Sequence, residues 1–327
     1  NPLMAIYVKN AIIHQFSPDD TDLYLADKFL NITPKIEEYL RKKIERVYSD
    51  EARTGIFEED NPFLEMISDD LLETSVVVAN RWKEEFVVSE NQKTNDLVFV
   101  EFSKEGVDHF AFLRIALRET LTHLGGEVDN PIKLTQNNLP GFGTGADEAL
   151  VINLQSRKYH LIEKRIKYNG TFLNYFSENL LQAQPKISPK KSIKALEKTA
   201  QKIAESFNTD DFQFQSKVKS AIFNHIEEEN KLSPEKLADD LFDDNLTARL
   251  SFIDQVKEAV PEPVTFEEID SSRQLKKFEN QKLSLSNGIE LIVPNNVYED
   301  AESVEFILNE NGTYSILIKN IEDIQSK

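Results

Sequence analysis

Apolar positions change their period several times along the chain. Ala11-Ile12-Ile13-His14-Gln15-Phe16 is a short apolar run closed by Ser17-Pro18-Asp19-Asp20, which predicts a strand ending in a turn. Thr33-Pro34 then supplies an N-cap and a proline for the first helical position. Ile36, Tyr39, Leu40, Ile44 and Val47 follow at helical spacing. Asn61-Pro62 repeats that signature ahead of a second long helix, expected through Trp82 to about Val88. From Asp96 the pattern is that of strands. Leu97–Phe102 and His109–Leu113 predict a pair, with Thr120–Leu124 as a third member. A glycine-rich loop, Pro140–Gly145, leads to another strand at Leu150–Leu154.

Beyond Gly170 the period is helical. Phe172, Tyr175, Phe176 and Leu180 line one face, and Ser188-Pro189 opens a helix carrying Ile193, Leu196, Ala200, Ile203 and Phe207. Helical patterns continue over 212–230, 234–244 and 246–260, until Val260-Pro261-Glu262-Pro263-Val264 makes a stiff, non-helical linker. Asn-Gly turns follow at 287–288 and 311–312. The second joins Val304–Leu308 to Tyr314–Ile318, a strong hairpin signal. The expected fold class is α+β: a mixed N-terminal region with antiparallel strands over 1–184, a helical segment over 185–260 and a small β-rich C-terminal section over 261–327.

Catalytic signatures are absent. Cysteine does not occur among the 327 residues, which excludes disulfides, cysteine-ligated metal and thiol nucleophiles, and fits a reducing compartment. Gly141-Phe142-Gly143-Thr144-Gly145 invites a phosphate-loop reading, but it lacks the preceding strand and following helix of a dinucleotide fingerprint. A flexible connection is expected instead. The five histidines, at 14, 109, 123, 160 and 225, show no metal-ligand spacing. Asp239–Asn245 resembles a calcium loop only in its acid content, since the central glycine and terminal glutamate are missing. No catalytic residue, cofactor or metal is expected, and no apolar run is long enough to span a membrane.

Charge changes the picture most. The formal total is −19, which taken alone argues against nucleic acid. Yet residues 155–202 hold eleven bases against three acids, a local +8, whereas 226–270 carries −10. Lys190, Lys194, Lys198 and Lys202 recur at every fourth residue, and Lys191 falls between the last two around the helix. Arg157, Lys158, Lys164, Arg165 and Lys167 form a second set. Such lysines suit phosphates as point charges, without base identity. A solvated helix face, or a contact with the acidic 226–270 surface of another subunit, stays open as an alternative.

The chain resembles the bacterial 37-kDa nucleoid-associated protein family. Ile12-Ile13-His14-Gln15 is similar to that family's opening segment, and Ala146–Leu154 with Tyr159–Phe176 to its strand–strand–helix block. Arg273–Phe278, Asn287–Ile292 and the hairpin ending Tyr314–Asn320 keep its order and spacing, so that the similarity runs over about 11–321. One departure stands out: Tyr168-Asn169-Gly170-Thr171-Phe172 replaces the Arg-Lys that members carry before the aromatic helix. The resemblance implies a non-enzymatic, cytoplasmic, nucleoid-located homodimer. The expected partner is double-stranded DNA, bound non-specifically and salt-sensitively through Arg157, Lys158, Lys164, Arg165, Lys167, Lys190, Lys191, Lys194, Lys198 and Lys202. The alternative is an acidic interaction module that docks a basic chromosomal protein and reaches the nucleoid indirectly.

Overall fold

In the computed structural model, which describes residues 5–90, 92–126 and 128–327, the chain divides into two units, Asn1–Ser188 and Pro189–Lys327. The first four residues of the expected 1–184 domain lie outside the described residues. The fold is α+β.

The first unit is built on one antiparallel sheet. Its strands are β1 (Ile6–Ser17), β2 (Asp22–Tyr24), β3 (Arg53–Ile56), β4 (Asn95–Lys104), β5 (Val107–Ala116), β8 (Glu148–Asn153) and β9 (Lys158–Ile162). They lie in the order β2-β1-β4-β5-β8-β9-β3. Helices α1 (Pro34–Glu45), α2 (Pro62–Glu65) and α3 (Leu71–Phe86) connect them, with Thr33, Asn61 and Asp70 as N-caps. Leu97, Phe99, Phe110, Phe112, Leu150 and Ile152 share a core with Trp82 and Phe86 of α3. The alternate residues Val98, Val100, Ala111, Leu113 and Val151 share another with Leu40 and Ile44 of α1. With both faces covered, the central strands read as unbroken apolar runs instead of an in–out alternation.

Expectations for three elements fail in this unit. In place of one long helix from Asn61-Pro62 to about Val88, α2 ends at Glu65 and α3 starts afresh at Leu71 behind a cap of its own, Asp70. Thr120–Leu124 does not join the paired strands. Residues Arg118–His123 form β6, which pairs only with β7 (Ile132–Asn138) as a separate ribbon, and the neighbour of β5 is β8. A strand of Arg, Glu, Thr and His cannot enter a sheet buried on both sides. Nor does a helical face run from Phe172 to Leu180. Ile166–Tyr168 (β10) and Thr171–Leu173 (β11) form a hairpin that leaves Phe172 exposed, and a π-helical turn at Phe176–Leu181 follows. The cause is Asn169-Gly170: both residues have positive φ (47° and 78°), the left-handed pair that a tight hairpin requires.

The glycine-rich loop is pinned rather than free. The Lys43 ammonium, buried, donates to the carbonyls of Gly141 (2.6 Å) and Thr144, and the Tyr39 hydroxyl donates to Pro140 (2.8 Å). Burial, with Arg46 and Arg118 nearby, pushes the Lys43 ammonium down to about 8.

In the second unit α4 (Pro189–Ser206), α5 (Phe212–Glu229), α6 (Pro234–Leu241) and α7 (Leu246–Val256) enclose one core. That core also takes Val264, Phe266, Ile269 and Phe278, from beyond the Pro261–Pro263 linker. Across the linker β12 (Lys231–Leu232) pairs with β13 (Val264–Thr265). Next come α8 (Ser272–Phe278), the ribbon of β14 (Asn280–Ser284) and β15 (Glu290–Pro294), and α9 (Asn295–Tyr298). A second ribbon, β16 (Val304–Leu308) and β17 (Tyr314–Ile318), follows. Gln281 ties the first ribbon to α5, donating to the Ser216 carbonyl (2.9 Å) and to Asn295 Oδ1 (2.8 Å). No helix among the described residues is long and apolar enough to cross a membrane.

Candidate nucleic-acid interface

Helix α4 owes its place to one stripe: Ile193, Leu196, Ala200, Ile203 and Ala204 are all buried against the core of the second unit. Burying each of the larger side chains stabilises the packing by about 1.5–3 kcal/mol. The helix starts at Pro189 and ends by a Schellman arrangement. Asn208 takes a left-handed conformation (φ 56°), Thr209 N–H donates to Ala204 (2.9 Å), and Asn208 N–H donates to Glu205 (3.1 Å).

With the stripe facing inward, the direction of every other side chain on α4 is set. At about 100° per residue, Lys190, Lys194, Lys198, Lys191 and Lys202 fan across roughly 120° of the side opposite the core. All five are exposed. Among the described residues Lys194, Lys198 and Lys202 make no ion pair. Steps of four residues separate ammonium groups along the axis by about 6 Å, so the ridge is on the order of 18 Å long. The helix does not gain from this layout. Lys190 and Lys191 stand in the first turn, at the positive end of the helix dipole, where cations are disfavoured. Their field and that of the dipole add, which favours an anion there.

Two further residues belong to this surface and were not picked out by the lysine spacing. Gln201 is exposed within the fan and donates to Glu205 (3.2 Å). Lys277 of α8 lies 3.5 Å from Glu197, the acid that borders the lysines, and offsets its charge. Gln201 could have been found on a helical wheel. Lys277 could not, since its approach to α4 depends on tertiary packing.

The second sequence-predicted set lies in the first unit and sits differently. Lys164 contacts Asp147 (2.9 Å), Lys167 contacts Glu90 (3.7 Å) and Arg157 contacts Glu59 (3.8 Å). Arg157 is half-buried, and its left-handed backbone (φ 64°) turns the chain between β8 and β9. Lys158 is half-buried on β9, whereas Arg165 is exposed. The structure therefore gathers the five α4 lysines on one face of one helix, and it disperses the other five among acids and turns.

The histidines are held by local partners. His14 is buried against Ser75 Oγ (2.8 Å) and accepts from Ala26 N–H (3.0 Å). His109 bonds the Val107 carbonyl (2.8 Å), His123 bonds Asn130, and His225 lies 2.5 Å from Asp240. Burial, with Lys158, Lys104 and His109 nearby, pushes His160 down to about 3. Among the described residues no group of three or more His, Asp or Glu could hold a metal ion. In place of a calcium loop, Asp239 and Asp240 end α6, and Asn245 caps α7 by accepting from Ala248 N–H (3.0 Å). A different cation network lies under the sheet of the first unit. Arg114 donates to Glu148 (2.6 Å) and to Asn95 (3.0 Å), Tyr175 donates to the same Glu148, and Trp82 Nε1 donates to Tyr175 (3.1 Å).

The α4 face thus gathers five exposed lysines on one side of one helix. The model of the NA37 family, described as nucleoid-associated protein YejK, matches residues 12–324. The chain belongs to this nucleoid-associated protein family. No curated protein matches it. The match covers both units, so the N-terminal sheet and the α4 helix are parts of one family architecture.

Proposed function

We propose that this member of the NA37 family is a non-enzymatic protein that binds the phosphate backbone of double-stranded DNA through Lys190, Lys191, Lys194, Lys198 and Lys202. The observation that carries the reading is the lysine fan opposite the buried stripe of α4, with Lys194, Lys198 and Lys202 outside any ion pair among the described residues. Lysine as a point charge gives salt-dependent affinity and no sequence preference. Arg157, Lys158, Lys164, Arg165 and Lys167 contribute less, because three of these five side chains already face carboxylates. Family membership supports a cytoplasmic, nucleoid location and a homodimer as the working form.

The test is an anisotropy titration with a labelled duplex at 50 and 200 mM salt. Neutralising about five phosphates gives a slope of log K against log salt of about −4 to −5. Replacing Lys190, Lys194 and Lys198 by Glu should abolish that binding. Affinity that ignores salt, or that survives the triple replacement, rules the proposal out.

A further inference from the structure

The edges of the large sheet are protected in the usual way: β2 has three residues and β3 four, too short to template another strand. The C-terminal ribbon is not protected. β17, Tyr314-Ser315-Ile316-Leu317-Ile318, pairs with β16 alone, and its other edge meets no strand among the described residues. Half of its backbone N–H and C=O groups must therefore point outward. Among the described residues no backbone–backbone hydrogen bond beyond the β16 ladder engages Tyr314–Ile318. The edge has no proline, no charge and no bulge, and it is apolar: Tyr314 is 55% exposed, Leu317 47% and Ile318 51%. Two-stranded ribbons are marginal alone. This one is anchored on one side, where Phe306 and Tyr314 pack on Phe212 with ring centroids 5.3 Å apart. The anchoring holds β17 in place, and its residues stay largely exposed with no strand on the outer edge among the described residues.

Charge decides what fits there. Residues 279–327 carry nine acids and three bases, and Lys319 is already paired with Glu305 at 2.7 Å. Glu310 precedes β17, and Glu322 and Asp323 follow it. An antiparallel second copy would bring Glu310 of one edge against Glu322 and Asp323 of the other, so like charges would oppose self-pairing. A cationic strand meets the reverse.

We propose that the open edge of β17 accepts an extended segment of another protein, apolar at alternate positions and lysine- or arginine-bearing between them, as a third strand of the ribbon. The backbone groups of β17 supply the hydrogen bonds. Tyr314, Ile316 and Ile318 meet the apolar positions, and the surrounding carboxylates select the basic ones. This inference is independent of the α4 ridge.

The test uses the full chain and fluorescent nine-residue peptides. Peptides alternating lysine and valine should bind, and more weakly as salt rises. N-methylation at alternate residues removes one row of N–H donors and should weaken binding at least about tenfold, as should glutamate in place of lysine. Leu317→Lys on β17 should weaken the lysine–valine peptide similarly while far-UV circular dichroism stays unchanged. Equal binding of the N-methylated peptide, or of one with its lysines and valines in separate blocks, overturns the proposal. So does a Leu317→Lys chain whose sedimentation mass halves relative to the parent, because a second copy would then occupy the edge.

Discussion

The cations of the 157–167 segment and those of α4 sit in opposite surroundings. Lys164, Lys167 and Arg157 face Asp147, Glu90 and Glu59, whereas Lys194, Lys198 and Lys202 face solvent from the side of a helix whose other side is core. A paired lysine must give up a carboxylate before it gains a phosphate, so its net contribution to an anion is small. An unpaired one gives its whole charge and releases a counterion from the DNA. The difference teaches that a cluster of bases is a binding surface only where the fold has left its charge unspent. In the first unit positive charge serves the fold; on α4 it does not.

The extreme of the first kind is Arg114, buried with Glu148 and Tyr175. Arg114→Met leaves the Glu148 carboxylate uncompensated and should cost about 3–5 kcal/mol in urea unfolding. DNA affinity of the folded protein should not move. If Arg114→Met left stability intact, the claim that buried cations in this unit serve the fold would break.

His160, on β9 within the same 157–167 stretch, is a cation that the fold forbids. Its proton is held off down to about 3, against 6.5 in the unfolded chain. Between those values the unfolded state binds the extra proton, so stability is full above pH 6.5 and is lost as pH falls toward 3. Replacing His160 by Phe, which keeps a ring beside Tyr48, should flatten the pH dependence of the melting temperature across that window.

On α4 the expectation reverses. Lys194, Lys198 and Lys202 changed together to Gln should lower DNA affinity by about 10- to 100-fold and make the salt slope shallower by about 2.7. Stability should stay within about 0.5 kcal/mol. The smallest effect belongs to Lys164→Gln and Lys167→Gln: less than about twofold in DNA affinity, and under about 1 kcal/mol of stability for each exposed ion pair. A larger loss of DNA binding there than on α4 would invert the comparison.

Much of the fold was legible because its signals are local. Thr33 and Ser233 cap the helices they announce, and the Asn311-Gly312 turn joins the strands it predicts, whereas Asn61 caps only the short α2 and the long helix behind it is capped by Asp70. The α4 ridge was legible for the same reason, since one helical period fixes both the stripe and the fan. What was missed depends on contacts between distant residues. Glu59 and Glu90 lie tens of positions from the cations they meet, and Lys277 is as far from Glu197. The Asn169-Gly170 hairpin is a different case: the signal was local, but aromatic residues at helical spacing outweighed it. The common core of α4–α7 and α8 could not be read across the Pro261–Pro263 spacer. Proline there stiffens the connection, and only the packing of Val264, Phe266 and Phe278 shows that the chain turns back.

Trp82 is the chain's only tryptophan, and it is fully buried in the first unit with its indole N–H on Tyr175. The second unit contains none. Intrinsic indole emission is therefore a reporter for the sheet unit alone, whereas far-UV ellipticity is weighted toward the helices of the second. Following both signals through one denaturant titration would tell, without any label, whether the units melt together or in turn. It would also show which of them duplex DNA stabilises.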